Sequence, residues 1–128
     1  MESKFYPVKK QHYEVYKKEV KRWLKVFGLV GWRVYFRHED IGHDILGMCT
    51  YDLKARNACF WINELWPETD PSVHNVKRTA FHEVCELLFA RLNILAMSRF
   101  VVEDEIEEER HNLIRKLETV VFEKDYKK

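Results

Sequence analysis

The sequence is short of the residues that make flexible or cross-linked chains: its 128 positions include four glycines, three prolines and three cysteines. So few breakers leave no material for a long linker, and neither an internal repeat nor a low-complexity tract is present. Cys49, Cys59 and Cys85 are odd in number and lack C-x-x-C spacing. That argues against a disulfide framework or a zinc finger, and for free thiols in a reducing compartment. No run approaches the ~18 apolar residues of a spanning helix, and the Lys-rich start lacks the apolar stretch of a secretory signal. A cytoplasmic chain with no membrane partner is expected. Net charge is almost absent too: 22 Lys and Arg oppose 21 Asp and Glu, leaving +1 and no overall field to draw a polyanion or a lipid surface.

What is present is a chain 46% hydrophobic and 34% charged, sized for one domain spanning 1–128. Its charge is unevenly spread, with ten Lys/Arg against three Glu in residues 1–37 and six acids in the seven positions 103–109. Over residues 8–27 the apolar positions Tyr13, Tyr16, Val20, Trp23, Leu24 and Phe27 recur three and four apart, which predicts an amphipathic helix stopped by Gly28. The opposite face, Lys9, Lys10, Lys17, Lys18, Lys21, Arg22 and Lys25, reads as a solvated surface. Trp32, Val34 and Phe36 alternate with polar neighbours as a strand should, and the runs 46–51 and 58–63 around the polar turn 52–57 predict a hairpin. Asp70-Pro71 supplies a cap and a first helical residue for a second helix reaching about residue 95. A third helix is expected over 102–122, its acidic start suited to a helix N-terminus. This order predicts an α+β domain: an N-terminal helix, a small three-stranded antiparallel-type sheet and two C-terminal helices. The core spans about 29–122, and a short charged tail follows.

The chemistry is concentrated in the second helix, at Ala80-Phe81-His82-Glu83-Val84-Cys85-Glu86. Residues four apart share a helix face, so His82 and Glu86 are placed to grip one metal ion while Glu83 reaches a water bound to it. This is the H-E-x-x-H zinc helix with glutamate in place of the second histidine. Such a match arises by chance in about one composition of this kind in twelve, so its surroundings matter. On a helical wheel Asn75, Thr79, His82, Glu86 and Asn93 form a stripe without a cation, with Glu83 at its edge and Lys77, Arg78 and Arg91 elsewhere. A catalytic zinc takes three protein ligands and a water. His111 on the third helix is the candidate for the third, with Glu107 one turn earlier to orient its imidazole. His38 and His43 are alternative ligands that read more simply as loop surface. Tyr51 and Arg115 are candidates to stabilise an oxyanion, and Cys85 falls on the apolar side of the wheel as a buried thiol. Trp32, Phe60, Trp61 and Trp66 read as core packing.

The run Arg78-Thr79-Ala80-Phe81-His82-Glu83-Val84-Cys85-Glu86-Leu87-Leu88, the preceding Tyr51-Asp52-Leu53-Lys54-Ala55-Arg56 turn and the following His111-Asn112-Leu113-Ile114-Arg115-Lys116-Leu117-Glu118 resemble small zincin-type metallopeptidases encoded by bacteriophages. The resemblance covers about residues 29–122. It implies a minimal zincin core, one zinc ion held by His82 with Glu86 and His111, and Glu83 as general base. It also implies a peptide or protein substrate paired along an edge strand, here Ala58, Cys59, Phe60, Trp61, Ile62 and Asn63, and a location in the host cytoplasm. Glu86 departs from the family histidine. A carboxylate there is a harder ligand, which opens the site to another divalent metal. Two other readings stand beside the peptidase: a noncatalytic phage protein that uses the fold to bind a host protein, and nucleic-acid binding through the basic helix with Trp23, Arg33 and Arg37. A di-iron site is excluded by count, because Glu108-x-x-His111 has no second copy.

Overall fold

Residues 4–98 and 100–126 are described by a computed structural model. The three- and four-residue apolar spacing winds α1 (Lys10–Val26), which buries Tyr16, Val20 and Leu24. Gly28 at φ +66° ends it in a Schellman turn, with Gly28 N donating to Lys25 O and Leu29 N to Leu24 O. The chain opens before this helix with a short strand, β1 (Phe5–Pro7).

Three strands follow: β2 (Arg33–His38), β3 (Gly47–Asp52) and β4 (Asn57–Ile62). The expected hairpin is β3–β4, but the sheet is mixed rather than antiparallel. Its order is β2-β4-β3, with β2 parallel to β4 and Phe36 opposite Phe60. Segment 58–63, expected at the edge, therefore supplies the central strand. The physical reason lies in its composition: Ala58, Phe60 and Ile62 are fully buried, and the alternate residues are half-buried. Such a strand needs neighbours on both sides. The flanking strands carry exposed residues such as Tyr35 and Thr50. Stretch 64–70, expected as loop, holds β5 (Leu65–Pro67), which pairs antiparallel with β1 and buries Trp66.

Because β4 inserts between β2 and β3, segment 39–46 must cross over its end. Asn63, almost wholly buried, ties that crossing down: its Nδ2 donates to Gly42 O and Ile45 O, and its Oδ1 accepts from Ile41 N and Glu64 N. Trp66 Nε1 adds a bond to Leu46 O at 3.0 Å.

Helix α2 (Val73–Leu88) is capped by Ser72, whose Oγ accepts from Asn75 N, rather than by Asp70. The single helix expected to residue 95 is interrupted at Phe89, whose φ of −91° and ψ of 3° separate α2 from α3 (Ala90–Met97). Helix α4 (Glu103–Leu117) passes through a wide π-type turn at Glu118–Phe122 into the short α5 (Glu123–Tyr126). Helices α1 and α2 pack together over the sheet, sharing one core with Ala58, Phe60 and Ile62. Tyr16 reaches through it to donate to Trp61 O at 2.9 Å. Helix α4 is fixed by Leu113, by the Arg91–Glu109 ion pair to α3 and by Lys116 Nζ on Phe27 O at the end of α1. Among the described residues no helix is long and apolar enough to cross a membrane.

Candidate functional site

A cleft of about 480 Å³ separates the crossing loop and the start of β3 from one face of α2. Asp44, Ile45, Leu46 and Gly47 form one wall, and Asn75, Arg78, Thr79, His82 and Glu83 the other. Position 47 decides how close the walls come. A Cβ there would lie 3.0 Å from Thr79 Cγ2, 3.0 Å from Trp61 O and 3.5 Å from Glu83 Cγ. Glycine lets the strand backbone run directly against the helix, so Glu83 packs beside the strand instead of being pushed away from it.

Glu83 is 7% exposed. Among the described residues no hydrogen bond is made to its carboxyl. Burial raises its pKa from the usual 4.5 to about 7; His82 opposes this and Glu86 reinforces it. A carboxyl so placed exchanges protons near neutrality, as general acid–base chemistry requires. Its neighbours feel the same environment. Burial and then Glu83 drive the Tyr16 hydroxyl well above its ordinary value, and push the Cys49 thiol to about 12, which leaves it without nucleophilic character.

The backbone of β3 adds a second chemical feature. Asn63 N donates to Leu46 O. By the alternation of an antiparallel ladder, Leu46, Met48 and Thr50 therefore turn their polar backbone groups toward β4. Gly47, Cys49 and Tyr51 turn theirs outward. Strand β3 is the last in its sheet, and among the described residues no other backbone group bonds to this outer row. An open strand edge thus runs beside Glu83, and it belongs to β3, not to segment 58–63.

The expected metal ligands are only partly brought together. His82 Nε2 lies 3.4 Å from Glu86 Oε1, both side chains more than half exposed. His111 is elsewhere. Helix α4 turns Glu109 and Leu113 inward, and His111, about 200° around the helix from Glu109, sits on the outer face with its Nε2 3.8 Å from Glu107 Oε1. Glu107 orients no imidazole of the cleft; it stands between His111 and Arg110. His38 lies tilted against Tyr13, with ring centroids 5.2 Å apart, and Tyr51 accepts from Asn93 rather than facing the cleft. Arg115 donates to Asn112. Among the described residues no three His, Cys, Asp or Glu side chains are grouped to hold a metal ion.

Two further readings change with the geometry. The stripe without cations does not coincide with the cleft wall, because Arg78, assigned to another face, lines the cleft beside Thr79 and His82. Helical side chains lean over the preceding turn, which shifts the covered patch relative to a wheel. The basic face of α1 is engaged within the chain at three of its seven cations. Arg22 bonds Glu19 and lies over Trp23, Lys17 pairs with Glu14, and Lys21 lies over Phe36. Gly47, Arg78 and Asp44 are the cleft residues that pattern reading passed over; Gly47 left one signal, a glycine at the start of an otherwise β-forming run. No family model, curated protein or solved structure matches the chain.

Proposed function

We propose that the β3–α2 cleft takes an extended peptide as an added strand and hydrolyses it, with Glu83 as the group that moves the proton. One observation carries this reading: an open strand edge runs alongside Glu83, a largely buried residue whose carboxyl has no hydrogen-bond partner among the described residues. Main-chain bonds from Gly47, Cys49 and Tyr51 would hold the peptide in register regardless of its side chains. Glu83 would draw a proton from an attacking water and return it to the departing amine. A catalytic zinc takes three protein ligands, and His82 with Glu86 supply two. The described residues do not complete the set, and no step is assigned to a metal.

That same count favours a second reading, a noncatalytic module that binds a protein strand in this cleft. The two separate in one experiment. The purified protein is incubated with a library of unstructured peptides, with and without added zinc, beside Glu83→Gln. Under the hydrolytic reading, cleavage falls by about 10²–10⁴-fold in Glu83→Gln while peptide binding persists. Binding without cleavage under either condition, indifferent to Glu83→Gln, assigns the module instead. Failure to bind any extended peptide removes both. Nucleic-acid binding has little support from the α1 cations, several of which are already engaged.

A further inference from the structure

Among the described residues helix α4 buries one line of side chains and leaves an apolar row beside it largely uncovered. Glu109 and Leu113 point into the protein. Flanking that buried line, Ile106, Ile114 and Leu117 are all more than a third exposed and Val121 is 61% exposed, with Leu117 and Val121 also bordering a groove against Trp23, Phe27 and Phe81. Their order is Ile106, Arg110, Ile114, Leu117, Val121, at spacings of four, four, three and four, which draws one seam along the helix. The wide turn after Leu117 preserves that seam: Ile114, Leu117 and Val121 line one shallow apolar depression. A soluble domain seldom leaves such a row uncovered unless something docks there.

Charge indicates what docks. Residues 103–109 hold six acids and no base, whereas residues 110–124 hold four bases, Arg110, Arg115, Lys116 and Lys124, against Glu118 and Glu123. The helix is therefore acidic at one end and basic at the other along the same apolar row. A second copy laid parallel would stack acid on acid. Laid antiparallel, each acidic half meets the other copy's basic half, and the apolar rows coincide. We propose that two copies of this chain associate through α4, antiparallel, about a two-fold axis near Ile114. In that register Ile106 faces Val121 of the partner subunit, Arg110 faces Leu117 of the partner subunit, and Glu103 faces Lys124 of the partner subunit. The interface is self-complementary, as a closed dimer requires. It uses none of the cleft residues, so it stands independently of the hydrolytic reading.

The test uses the whole chain. Light scattering of the eluting protein, from micromolar to millimolar concentration, is expected to show a mass approaching twice 15.6 kDa, with the dimer weakening as salt rises. Leu117→Glu is expected to return it to one copy with an unchanged circular-dichroism spectrum. Under oxidation Ile114→Cys is expected to cross-link to itself, Ile106→Cys not to itself but to Val121→Cys in a mixture, with the parent chain showing the background from Cys49, Cys59 and Cys85. A single-copy mass at every concentration overturns the proposal. So does a dimer that survives Leu117→Glu, or one in which Ile106→Cys joins itself as efficiently as Ile114→Cys, the mark of a parallel pair. Recruitment to anionic vesicles without self-association would assign the seam to lipid and overturn it as well.

Discussion

Glu83 owes its position to a side chain that is absent at residue 47. With glycine there, the Glu83 side chain packs against the start of β3; with alanine, the new methyl meets Trp61 O, a backbone atom that cannot swing aside. Gly47→Ala should shift the start of β3, destabilise the fold by about 1–3 kcal/mol and weaken peptide binding, measurable by chemical denaturation and by titration with a bound peptide. The raised pKa has a thermodynamic counterpart in the metal-free protein. Between pH 4.5 and about 7 the folded state holds a proton on Glu83 that the unfolded state releases, so this group makes stability fall as pH rises through that window. The neutral Glu83→Gln should match the parent near pH 4.5 and exceed it at pH 8, by at most about 3 kcal/mol at 1.36 kcal/mol per pH unit and less where water enters the cleft. A stability difference between Glu83→Gln and the parent that does not grow from pH 4.5 to pH 8 would refute the assignment. Asn63 is the second residue that acts beyond its size. Asn63→Ala removes its bonds to Gly42, Ile45, Ile41 and Glu64 together. The expected loss is about 2–4 kcal/mol in a denaturant titration, since buried polar groups are left without partners.

Among the elements, β3 has two chemically different rows of backbone groups, and proline can address them separately. Thr50→Pro removes an N–H that faces β4 and should unravel the ladder, seen as lost thermal stability. Cys49→Pro removes one that faces outward and should leave the fold standing while abolishing peptide binding, because a strand tolerates proline on its unpaired side. Equal loss of fold in both would show that the outer row is not open. The elements also mark where sequence reading succeeded. Helical periodicity located α1 within two residues of its observed start, and the β3–β4 hairpin lies within a residue of the runs that predicted it. The break at Phe89 was hidden because Ala90–Met97 carries helix-forming residues that continue α2 without proline or glycine. Leu87, Leu88 and Ala90, the residues around that break, are all buried, so tertiary packing rather than local propensity accompanies it.

At the scale of the whole molecule, Lys116 closes the far end of α1 by donating to Phe27 O from a residue 89 positions away. Lys116→Met should lower stability by about 0.5–1.5 kcal/mol, with amide exchange quickening first at the α1 C-terminus. Long-range relations of this kind are what the residue pattern could not convey. His82, Glu83 and Glu86 were legible as a group because one helix fixes their spacing, whereas placing His111 depended on the rotation of α4, which the inward turn of Glu109 and Leu113 decides. The parallel pairing of β2 with β4 was equally out of reach, since alternation says which face a residue takes and nothing about its neighbour strand.

That strand order also governs when the domain can form. The strand between β2 and β3 is the last of the three to be synthesised, so a nascent chain ending before residue 57 holds two strands that are not neighbours in the finished sheet. Strand β2 must wait unpaired while the local β3–β4 hairpin closes. It then joins by a contact spanning some 24 residues in register, from Arg33 to Asn57, a late and entropically demanding step. Until it is taken, α1 has only a partial surface to cover. The assembly of this small protein is therefore timed by its middle: β2 finds its partner only once residue 62 has been made, and β1 only once residue 67 has been made.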